Sequence, residues 1–145
     1  MDSKSKYDEK IIGEFDNEKR IFHLSATEVL NIDTKQQLEE LCSIVSNKLG
    51  KHVESDRCYM IVDLSKFIID LKLSDCYAEK IQHIIENGLY NNGLARYGYE
   101  VTRMTIQKGH QTKVKGDPNL FGTKKDAFDY IDSLIQMKSI SNRTA

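Results

Sequence analysis

The sequence predicts an α/β fold, a mixed β-sheet of four to five strands covered by helices. Three observations predict it. Cys58 to Leu64 (CYMIVDL) is the most continuous apolar run in the chain and has a β-branched centre, which suits a strand buried on both faces. Apolar residues at helical spacing, each set led by a capping residue, recur after Thr34, Ser74 and Thr123. Strand-like and helix-like segments alternate through the second half, which calls for strands joined by helical crossovers. A chain of 145 residues suffices for one core, expected over 11–137. A flexible N-terminal segment (1–10) and a C-terminal tail (138–145) are expected to flank it.

Each element has its own warrant. In Ile11–Leu24 (IIGEFDNEKRIFHL) two apolar runs flank a polar Asp16–Lys19 tip, so a hairpin is expected. Thr34 with Gln37 forms a capping box. Leu38, Leu41, Cys42, Val45 and Leu49 then mark one face of a helix that Gly50 stops. The buried strand follows and ends at Ser65-Lys66. Ser74 is the expected N-cap of the next helix, with Ala78, Ile81, Ile84 and Ile85 on one side and Asn87-Gly88 at its end. Asn91-Asn92-Gly93 marks a turn. Leu94 to Met104 reads as a strand, and the polar stretch 107–119, with two glycines and the single proline, as a loop. Leu120-Phe121 is a short apolar pair. Thr123 and Asp126 then cap a last helix carrying Ala127, Phe128, Ile131, Leu134 and Ile135.

Composition narrows the function classes. Lys plus Arg is 21 and Asp plus Glu is 22, so the net charge of −1 argues against a dedicated nucleic-acid binder. No apolar run is long enough for a transmembrane helix. The opening MDSKSKYDEK has no apolar core of a secretory signal. Cys42, Cys58 and Cys76 are odd in number and lack CxxC spacing, which argues against disulfides and structural zinc and for a reducing, cytoplasmic setting. His23, His52, His83 and His110 show no metal-ligand spacing. A Cys76–His83 pair would stand about 10 Å apart along a helix, too far for direct contact. Gly88, Gly93 and Gly98 fit no dinucleotide or phosphate loop. No cofactor is expected, and no catalytic motif is present.

The segment MIVDLSKFIIDLKLSD, with Asp63-Leu64-Ser65 after the central strand, resembles the STAS-like fold family, more closely its SpoIIAA-like (CRAL-TRIO-related) branch of small bacterial domains. The ending Leu120-Phe121-Gly122-Thr123-Lys124-Lys125-Asp126-Ala127-Phe128-Asp129-Tyr130-Ile131 resembles the strand and helix that close such domains. The resemblance spans roughly 11–137 and implies a non-enzymatic binding or regulatory module. The anti-sigma-factor antagonists of this fold carry a D-S-S-G motif with a phosphorylated serine. Here Asp70 is followed by Leu71-Lys72-Leu73, so that switch does not transfer.

The candidate partner- or ligand-binding residues are Asp63, Ser65, Phe67, Asp70 and Ser74, on and after the strand exit, where open α/β sheets bind. Each has a plainer role: Asp63 bonding loop amides, Ser74 capping a helix, Phe67 folding into the core. Residues 96–145 hold 9 basic and 5 acidic groups. An anion-binding surface is therefore weighed at Lys108, His110, Lys113 and Lys115, against a solvated loop. The expected partner is a protein or a small ligand, and a homodimer through an edge strand is expected to be open to the fold. The alternative is a carrier of a small apolar (lipid or acyl) ligand in a pocket like that of CRAL-TRIO domains.

Overall fold

A computed structural model of the chain describes residues 8–50, 58–86, 93–98, 100–113 and 119–144. After a 3-10 turn at Asp8–Lys10, β1 (Ile11–Asp16) and β2 (Ile21–Ala26) form the expected antiparallel hairpin. Its tip is set by Asp16, whose Oδ1 accepts from the Glu18 and Lys19 amides at 3.0 and 3.1 Å, and by Arg20 at φ 59°. After β3 (Leu30–Ile32), α1 (Lys35–Gly50) opens on a complete capping box. Gln37 N donates to Thr34 Oγ1 at 3.1 Å, and Gln37 Oε1 accepts from the Thr34 and Asp33 amides at 3.0 and 2.8 Å.

β4 (Tyr59–Asp63) is the middle strand. It pairs in parallel with β2 on one side and with β6 (Gly93–Tyr97) on the other. β7 (Leu120–Phe121) extends β6, giving the order β1-β2-β4-β6-β7. The fold is thus α/β with a five-stranded mixed sheet, antiparallel only at the hairpin. Pleat alternation divides β4 between two cores. Tyr59 and Ile61 join Ile21 and Ala95 beneath Ala127 and Ile131 of α4 (Lys124–Thr144). Met60 and Val62 join Phe22 and Leu24 beneath Leu38, Leu41 and Val45 of α1.

Four local expectations are corrected. The Leu94–Met104 strand stops at Tyr97, and α3 (Glu100–Lys113) follows. The β-branched residues of 101–105 suggest a strand, yet Thr102, Thr105 and Ile106 sit at helical spacing and are all buried. Their burial decides the matter because two threonine hydroxyls find acceptors there. Thr102 Oγ1 donates to Phe67 O at 2.6 Å and Thr105 Oγ1 to Ile69 O at 3.0 Å. The expected loop 107–119 is accordingly helical to Lys113, with 114–118 outside the described residues. Residues 67–69, expected to lie in a loop, form a short strand β5 (Phe67–Ile69) that pairs in parallel with β3. Finally, Ser74 does not cap α2 (Ser74–Glu86). Asp70 Oδ1 accepts from Lys72 N at 2.9 Å and opens a 3-10 turn, Leu71–Leu73, that runs into α2, so Ser74 lies inside the helical stretch at φ −56°, ψ −46°. Asp is as good a cap as Ser and comes first. At the C-terminus α4 continues to Thr144, with no Gly or Pro after 123 to stop it.

Candidate functional site

The carboxyl ends of β4 and β6 meet in a hydrogen-bonded cluster. Asp63, the last residue of β4, accepts from Ser65 N at 2.9 Å and from the Ser65 hydroxyl, both at Oδ1. Tyr97, the last residue of β6, is buried, and its hydroxyl also bonds the Asp63 carboxylate. His23 of β2 completes the row, with Nε2 at 3.1 Å from Tyr97 Oη. The imidazole stacks against Tyr97 (6.2 Å between centroids, 7° between planes) and meets the Phe128 edge at 5.5 Å. Burial first, then the Lys124 ammonium, hold the His23 imidazole below its ordinary value, against Asp63 and Glu14. Burial, reinforced by Asp63, pushes the Tyr97 phenol well up. Gly98 at φ +119° lets the two exits touch, since a Cβ there would stand 2.8 Å from Ser65 N.

The opposite face of the same strands holds a cavity of about 60 Å³. Its walls come from the sheet (Leu24, Met60, Val62), from α1 (Leu41, Cys42) and from β5 (Phe67, Ile69). Two polar side chains reach it. Arg96 of β6 is only 3% exposed, and its Nη1 donates to the Tyr77 hydroxyl of α2 at 3.2 Å. Cys42 stays neutral there, because burial pushes its thiol up to about 11.

The expected site residues therefore separate. Asp63 and Ser65 stand together at the strand exit, with Ser65 exposed. Asp70 caps the 3-10 turn. Phe67 is 1% exposed and faces the cavity rather than solvent, and Ser74 is 3% exposed. The reason is β5, whose period of two turns Phe67 and Ile69 inward and leaves Ile68 half-buried. Lys108 is exposed on α3, His110 and Lys113 lie farther along that helix, and Lys115 lies outside the described residues. Among the described residues no cluster of His, Cys, Asp or Glu has the makings of a metal site, and no helix is long and apolar enough to cross a membrane.

His23, Tyr97, Arg96 and Tyr77 are not singled out from the sequence. For Arg96 a signal exists: in Leu94-Ala95-Arg96-Tyr97 a cation interrupts an apolar segment, and in a strand covered on both faces it must be buried. For His23 and Tyr97 the cluster joins three strands distant in sequence, and no spacing announces it.

No protein-family profile and no curated protein matches the chain. Among solved structures it is similar to the crystal structure of an uncharacterized protein of the DUF3478 family, with a SpoIIAA-like fold, from Shewanella loihica PV-4. The two are 14% identical with a TM-score of 0.48, over 83% of this chain and 91% of that one. The likeness is one of fold alone, and the SpoIIAA-like fold named for that neighbour is the one that the sequence resemblance implies.

Proposed function

We propose that the domain is a non-enzymatic binding module whose ligand is a small molecule with an apolar body, taken up in the cavity between the sheet and helices α1 and α2. The observation that carries this reading is the cavity itself. Protein cores leave few voids larger than a water molecule, and one water needs only about 10–15 Å³. A space of about 60 Å³ walled mainly by aliphatic and aromatic groups is a receptor for carbon rather than for water. The segment 65–74 enters through its inner side, since Phe67 and Ile69 form part of the wall. Asp63 serves the framework instead, gathering donors from Ser65 and Tyr97 and holding the strand exits together.

The reading is tested by methyl NMR of the whole chain titrated with propanol and, separately, with cyclopropane. Saturable shifts are expected at Leu24, Leu41, Met60 and Val62. If neither compound moves those methyls, the reading is wrong.

A further inference from the structure

We infer that the ligand of this cavity is an uncharged molecule of gas size, a hydrocarbon of about two to four heavy atoms that makes no hydrogen bond there; the inference rests on the apolar-ligand reading above. Volume sets the upper limit. A cavity of about 150 Å³ takes a benzene ring. A space of about 60 Å³ takes about half a ring.

The wall sets the polarity. Nearly all the surface that faces the space is apolar, and Leu24, Val62 and Ile69 offer no hydrogen bond. The two polar groups of Arg96 and Tyr77 serve each other instead. Arg96 Nη1 donates to the Tyr77 hydroxyl at 3.2 Å, and Arg96 has a further interaction besides. A guanidinium held in this way needs nothing from a ligand. Cys42 offers no countercharge, because burial keeps its thiol neutral. A charged or hydroxylated ligand therefore gives up its hydration with no partner in exchange.

What remains is dispersion. Met60, Cys42 and Phe67 bring a thioether, a thiol and an aromatic ring to the wall. These groups are polarisable, and a void leaves them without contacts on one side. A small hydrocarbon restores those contacts and brings no polar group to be left unmet. Such a ligand binds weakly and reversibly. Three heavy atoms correspond to a Kd on the order of 1 mM at best, so occupancy follows the ambient concentration of the compound.

Methyl NMR of the full chain titrated with cyclopropane, propanol and cyclohexane tests this. Cyclopropane is expected to give saturable shifts at Leu24 and Val62. Propanol should bind about tenfold more weakly, because its hydroxyl is buried unpaired, and cyclohexane should leave the shifts in place. Cys42→Leu, which fills the space, should abolish cyclopropane binding. Leu41→Ala, which enlarges it, should admit cyclohexane. Propanol binding as tightly as cyclopropane, or saturable binding of cyclohexane by the unaltered chain, overturns this inference and leaves the apolar-ligand reading standing. Binding of none of the three overturns both, as does cyclopropane binding undiminished in Cys42→Leu. The comparison in the unaltered chain decides the matter even if Leu41→Ala fails to fold.

Discussion

His23 shows how one side chain ties acid–base chemistry to stability. Its imidazole is held below the ordinary value of 6.5, so as the pH falls the unfolded chain takes up this proton before the folded chain does. The stability it confers is complete above about 6.5 and is lost as the pH drops through the lower folded value. His23→Gln keeps a donor within reach of Tyr97 and removes the titration. Melting temperature measured from about pH 7 to about pH 5 should fall less steeply in the variant, and parallel curves would rule this out. The strand-exit carboxylate and Ser65 were legible in the sequence because they adjoin the one unmistakable strand. Their partners were not, because Tyr97 and His23 reach Asp63 only through the sheet register, which no local pattern encodes.

Among the elements, α3 is the clearest case of tertiary structure overriding local preference. Its threonines favour strands by propensity, but in the fold they serve as donors to alternate carbonyls of β5. β5 pairs with β3 along one edge and would otherwise bury unmet acceptors along the other. Thr102→Val and Thr105→Val keep shape and remove the hydroxyl. Each should lower unfolding free energy by about 1–3 kcal/mol in urea denaturation, and a loss under about 0.5 kcal/mol would show that these bonds carry little. The hairpin, the capping box of α1, the cap of α4, where Asp126 N donates to Thr123 Oγ1 at 3.2 Å, and the middle strand were readable because each is specified within a few residues. β3 and β5, three residues each, were not, because a pair so short exists only through its neighbours.

For the molecule as a whole, the two cores are back to back across a single sheet, and β4 contributes to both. Ile61, fully buried beneath α4, lies between Met60 and Val62 of the cavity face. Ile61→Ala should lower stability by about 2–5 kcal/mol. Circular dichroism and tyrosine fluorescence should lose signal in one shared transition, because neither face can open while β4 stays paired. Separate transitions would show that the faces unfold independently.

Placing this strand in the centre also has a consequence for biosynthesis. On the ribosome β4 emerges after β2 but well before β6, and until β6 arrives its second flank is an uncovered row of backbone N–H and C=O groups between apolar side chains. The nascent chain must guard that flank from other polypeptides for as long as translation of the intervening residues lasts.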